Sequence, residues 1–191
     1  MKGSDSITSR ELDELVDRAV GPLAIRDRTL VELLAATGLR VSEVACLRLD
    51  QLFDQGRARD TLHLQPGQTK RRRGGKLPLN ERIRAMLELY AVWLHGWYEG
   101  QWLFPGYEDR HITPRAVQKV IRQLAKAAGL TKKVTPHSLR KYFINRLLDA
   151  GVDIRTVKTL SRHASFESLH AYTESNEDDA RRAVEELANV R

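Results

Sequence analysis

One cysteine, Cys46, occurs among the 191 residues. An internal disulfide is therefore excluded, and the usage suits a reducing cytoplasm. Cys46 falls in an apolar helical run, which predicts a buried structural thiol rather than a reactive one. No apolar run reaches the roughly 18 residues that cross a bilayer, and the N-terminus lacks a signal-peptide apolar core. These absences predict a soluble, cytoplasmic protein with no membrane partner. The histidines number six and are scattered. They form no carboxylate-rich cluster at ligand spacing, so no metal site is implied. Internal repeats and long linkers are also missing, and one domain is expected at this length.

What the chain does have is positive charge. It carries 32 Lys+Arg against 25 Asp+Glu, a formal net charge of +7 and a sequence pI of about 9.7. That balance favours a polyanionic partner, nucleic acid first and an anionic membrane surface second. With 41% hydrophobic residues the chain can still bury an adequate core.

Local patterns predict a mainly α fold with a small antiparallel β-sheet (α+β). Helical spacing starts at Thr8 or Ser9, with Leu12, Leu15, Val16 and Ala19 apolar. A second helix runs from about Ala24 to Thr37, with Leu30, Leu33, Leu34 and Thr37 on one face and Gly38 as its C-cap. A short helix is expected over Ser42 to Leu47. Leu52-Phe53, Thr61 to Gln65 and Lys76 to Leu79 read as strands of one sheet, and the turn between the last two is Gly-rich and basic. Helices return after Asn80, at Thr113-Pro114, where a cap precedes a proline at the first helical position, and over His137 to Ala150. Asp153 and Ser165 are expected to cap the next two. Residues 1–7 are expected to be flexible, and 176–191 to form a tail helix with acid in its first turn.

His137, Arg140, His163 and Tyr172 lie close together in sequence, and all can act on a phosphate. His137 and Arg140 are three apart and share a helix face. Upstream, Arg40 and Lys70 complete a set of cations and donors suited to a phosphoryl-transfer site. Arg71, Arg72 and Arg73 form a basic run at the hairpin tip, read as contacts to a nucleic-acid backbone.

The motifs Thr37-Gly38-Leu39-Arg40-Val41-Ser42-Glu43, Thr69-Lys70, Pro136-His137-Ser138-Leu139-Arg140, Gly151 to Val157, His163-Ala164-Ser165 and Tyr172-Thr173 occur in that order. In this combination the chain, over about residues 8–176, resembles the tyrosine recombinase (phage integrase) family, whose catalytic-core fold and chemistry are shared with type IB topoisomerases. The resemblance implies that Arg40 and Arg140 clamp the scissile phosphate, a task suited to the planar guanidinium fork. It implies that Glu43 orients the cationic cluster, and that Lys70 protonates the departing 5′-oxygen; Lys76 also lies near the hairpin. His137 would hydrogen-bond a non-bridging oxygen or accept the tyrosine proton, and His163 would donate to the phosphate. Tyr172 would be the nucleophile, leaving a 3′-phosphotyrosine and a free 5′-hydroxyl, with no cofactor and no ATP.

Two positions depart from the family pattern. Arg162 stands where relatives usually carry Gly, and Lys141 where many carry His or a small residue.

The implied activity is site-specific recombination of double-stranded DNA through a Holliday junction, by a homotetramer on paired sites whose subunit is a monomer in isolation, in the nucleoid. The alternatives are a type IB-like topoisomerase and a catalytically silent DNA-binding regulator. The whole of 1–191 is expected to be one catalytic domain, without the N-terminal domain that clamps DNA in relatives.

Overall fold

Caps and apolar spacing decide where the helices begin. The computed structural model describes residues 5–68, 74–163 and 165–170. Helix α1 (Ser9–Asp17) starts at a reciprocal cap: Glu11 N donates to Thr8 Oγ1 at 3.2 Å, and Thr8 N donates to Glu11 Oε2 at 2.7 Å. Helices α2 (Ala24–Thr37) and α3 (Val41–Ala45) follow. Asn80 caps α4 (Glu81–His95), and Thr113 caps α5 (Pro114–Ala127). Next come α6 (Pro136–Asp149), α7 (Ile154–Ser161), capped by the Asp153 carboxylate, and the single turn α8 (Glu167–His170).

Ser6 and Ile7, expected to be flexible, are held. Ile7 is buried, and Lys132 Nζ donates to the Ser6 carbonyl at 2.7 Å. The short third helix is narrower than expected, Val41–Ala45 rather than Ser42 to Leu47. Cys46 follows it half-buried, its thiol donating to the Ser42 carbonyl at 3.0 Å, rather than sitting inside the core.

The single expected sheet is two separate antiparallel pairs. β1 (Phe53–Asp54) pairs with β2 (Arg57–Ala58), a strand that the sequence pattern did not reveal. β3 (Thr61–Leu64) pairs with β4 (Gly75–Pro78), in the register Leu62 to Leu77 and His63 to Lys76. Alternation sends Leu62, Leu64 and Leu77 to the core and leaves His63 and Lys76 in solvent. β2 escapes sequence reading because two residues carry no period.

α2 is the central helix, packed by α1, α4 and α6. It is buried on more than the expected stripe, with Val31 and Ala35 inside besides Leu30, Leu33, Leu34 and Thr37. α5 keeps one apolar face, Val117, Val120, Ile121 and Leu124, against the main core. A smaller cluster of Ile144, Val157 and Leu169 joins α6, α7 and α8.

The close contact that builds the site is at Gly38. It ends α2 in a left-handed conformation, φ 57°, with its N–H on the Leu34 carbonyl. A Cβ there would lie 2.4 Å from Phe143 Cδ1 of α6. Only glycine lets the end of α2 meet α6 at this distance.

Candidate active site

Arg140 projects from the first turns of α6 and is only 4% exposed. Its guanidinium donates to the carbonyls of Gly38 and Ser161, the ends of α2 and α7. A buried cation needs such acceptors, and this one uses carbonyls that helix termini leave open. Arg140 therefore pins three helices at one point.

Arg40 precedes α3 and sits beside it. Its Nη1 donates to Glu43 Oε1 at 2.9 Å, and its Nη2 to the Arg162 carbonyl at 3.1 Å. The Glu43 side chain is 1% exposed. Its other oxygen accepts from Arg40 N at 2.7 Å and Arg162 Nη2 at 2.6 Å. Burial alone would push the Glu43 carboxyl up; the Arg162 charge, then the Arg40 N–H and charge, outweigh it and hold it below the ordinary value. Burial lowers the Arg162 pKa, with the Glu43 charge opposing and Arg40 adding to the fall. Glu43 is thus a buried anion between two arginines.

His163 follows directly. Ser161 Oγ lies 2.7 Å from its Nδ1, and Arg140 Nη2 lies 3.4 Å from its Nε2. Arginine can only donate, so Nε2 is the acceptor and the ring proton belongs on Nδ1, facing Ser161. Burial first, then the charges of Arg140, Arg40, His137 and Arg162, hold the His163 pKa down to about 4. His137, exposed at the start of α6, is also lowered, by partial desolvation and then by Lys141 and Arg140. Both imidazoles are neutral at pH 7.

Arg40, His137 and Arg140 line one cavity of about 610 Å³, together with Ser42, Gln118, Arg122, Lys133 and Thr135. Among the described residues, none that lines it is acidic. The N-terminus of α6 opens onto it, adding partial positive charge from the helix dipole. The arrangement suits a phosphodiester held by cations and hydrogen-bond donors.

Lys70, Arg71, Arg72, Arg73 and Tyr172 lie outside the described residues, as does the expected 176–191 helix. Lys76 faces a different cavity, with Asp54, Arg57, Asp60 and His63. Among the described residues, no group of three or more His, Cys, Asp or Glu could hold a metal ion.

Residues 5–179 match the phage integrase family. The chain belongs to that family. It is 32% identical over 159 residues to tyrosine recombinase XerD of Listeria monocytogenes serotype 4b, covering 80% of this chain and 51% of that one. XerD of Caulobacter vibrioides is 37% identical over 160 residues, covering 78% of this chain and 49% of its own. The chain thus spans about half the length of these curated relatives. Among solved structures, XerA recombinase superposes with a TM-score of 0.78 at 26% identity, covering 97% of this chain and 66% of its own. XerH, solved bound to its difH substrate in a pre-cleavage complex, superposes at 0.75 and 20% identity, covering 94% of this chain and 53% of its own. The mostly helical core with small antiparallel sheets is the fold these integrase-family structures share.

Three residues of this candidate site were invisible to sequence reasoning. Arg122 and Lys133 enter the cavity wall from α5 and the turn before α6. Ser161 touches both Arg140 and His163. Basic residues on a helix face carry no signal that separates them from a solvated surface. Nor does a serine two positions before a histidine announce a bond to it.

Proposed function

We propose that the chain acts as a site-specific DNA recombinase, cleaving and rejoining strands through a 3′-phosphotyrosine intermediate. The observation that carries this reading is the convergence of Arg40, Arg140 and His137 on one cavity with no acidic lining residue among the described ones, with His163 against Arg140.

In the proposed step the Tyr172 oxygen attacks phosphorus while its proton passes to a base. Neutral His137, its pKa below the ordinary imidazole value, is suited to accept it. The P–O5′ bond breaks, and Lys70 donates the proton that the 5′-oxygen needs. Arg40 and Arg140 hold the non-bridging oxygens as charge builds there. Ligation reverses the step: a 5′-hydroxyl attacks the phosphotyrosine and Tyr172 leaves with a proton. The bond energy is kept in the tyrosyl ester, so no nucleotide cofactor is consumed.

Double-stranded DNA is the partner on this reading, and a homotetramer on two paired sites is the assembly that exchanges strands, within the nucleoid. Arg71, Arg72 and Arg73 would meet the phosphate backbone beside the cleaved bond. The relatives named above are recombinases, which puts strand exchange ahead of supercoil relaxation.

The test is a DNA substrate nicked beside the scissile phosphate, so that cleavage cannot reverse, resolved on a denaturing protein gel without added divalent metal. A covalent protein–DNA band is expected for the wild type and none for Tyr172→Phe. A band of equal strength in both, or no wild-type band at low salt on the cognate site, overturns the reading.

A further inference from the structure

Arg162 occupies a place where an arginine is costly. It caps α7 in the left-handed region, φ 54° and ψ 39°, which glycine enters freely and other side chains resist. A residue held there only to end the helix would send its side chain into water. Instead the Arg162 side chain is only 14% exposed. Its Nε is buried without a partner among the described residues, while Nη1 reaches the Leu160 carbonyl at 3.3 Å. Its Cδ packs near β4, where a Cβ on Gly75 would sit 3.4 Å away. β4 is the strand that pairs with β3.

Two contacts run from Arg162 toward Arg40. Its Nη2 donates to Glu43 Oε2 at 2.6 Å, and its carbonyl accepts from Arg40 Nη2 at 3.1 Å. We propose that Arg162 is a positioning residue, which occupies one oxygen of Glu43 and presents its own carbonyl so that the Arg40 guanidinium faces the scissile phosphate. The competition is geometric. A carboxylate with both oxygens available takes an arginine fork in two parallel bonds. Arg162 Nη2 joins the Arg40 N–H on Oε2 and fills it, so Glu43 grips the Arg40 guanidinium through Oε1 alone. The second Arg40 bond goes to the Arg162 backbone, and the side chain so held lines the cavity. Arg162 is absent from that lining, so toward this cavity it acts through Arg40.

This inference rests on the recombinase reading, and its test separates the two. Arg162→Gly replaces the side chain with the residue the left-handed turn prefers, so the helix end is relieved rather than broken. Single-turnover adduct formation on the nicked substrate is expected to fall about 100-fold, the scale for a reacting group displaced by about an ångström. The DNA dissociation constant and the circular-dichroism spectrum should stay at wild-type values. Arg162→Lys, which keeps a cation for Glu43, should recover part of the rate. A substrate whose scissile linkage is a neutral methylphosphonate has no oxyanion for Arg40 to hold, and there the Arg162→Gly penalty should largely vanish. Wild-type rates for Arg162→Gly on the ordinary phosphate would overturn the proposal while leaving the recombinase reading intact. An equal loss on both linkages would overturn it too, by marking general damage. A wild-type chain that forms no Tyr172-dependent adduct overturns both.

Discussion

Glu43 should be among the most stabilising side chains in the molecule, and the cost of removing it can be worked from its contacts. Its carboxylate accepts from Arg40 N, Arg40 Nη1 and Arg162 Nη2 at 2.7, 2.9 and 2.6 Å, with the side chain 1% exposed. Glu43→Ala leaves two cations facing each other with no anion between them. Breaking a buried pair in this way costs about 3–5 kcal/mol. Glu43→Gln keeps one carbonyl acceptor of nearly the same shape and turns an NH2 toward a guanidinium, so about 2–4 kcal/mol is expected on the same grounds. Against a usual reserve of about 5–15 kcal/mol this is a large fraction. In a chain of this length it lowers Tm by about 2–4 °C per kcal/mol. Urea unfolding followed by circular dichroism at pH 7 measures it, with the slope m unchanged. The sign with pH is fixed. The folded Glu43 pKa is depressed, so its stabilisation is present above the unfolded carboxylate pKa and is lost as pH falls through the folded value. The gap between wild type and Glu43→Gln should therefore close in acid. A loss under about 1 kcal/mol at pH 7, the range of an exposed ion pair, would refute the reasoning.

Two further outcomes follow from the geometry. The folded His163 pKa lies at about 4 against 6.5 unperturbed, so between those pH values the unfolded chain binds a proton that the folded chain refuses. Stability should fall as pH drops across that window, with His163 supplying at most about 1.4 kcal/mol per pH unit; an unchanged slope in His163→Gln would exclude it as the source. Gly38→Ala places a methyl 2.4 Å from Phe143 Cδ1 at φ 57°, and left-handed strain plus overpacking should cost about 2–5 kcal/mol in chemical denaturation. Phe143→Leu in the same chain should recover the overpacking share, and no recovery would place the whole cost in the backbone.

Much of the helical framework was legible because it rests on local chemistry. Thr8, Asn80, Thr113 and Asp153 cap the helices they precede. Gly38 ends α2 with the left-handed φ that its residue type allows. The two sheets were not separable, since β1 and β2 have two residues each and are defined by pairing rather than pattern. Cys46 stays half-buried because α3 stops one residue before it, a boundary that apolar content did not mark.

By itself the sequence determined most of the described helices, the basic character, and the order of the motifs that mark a phage integrase family member. Each depends on residue type and on spacing along one chain. The tertiary structure alone decided which polar groups meet. Arg140 is held by carbonyls of Gly38 and Ser161, and Glu43 is shared between Arg40 and Arg162. Arg122 and Lys133 join the cavity wall through the same packing. The physical reason is distance in sequence: Glu43 and Arg162 are 119 residues apart. A buried charge chooses its partner from whatever the packed helices bring within reach, which no local pattern encodes.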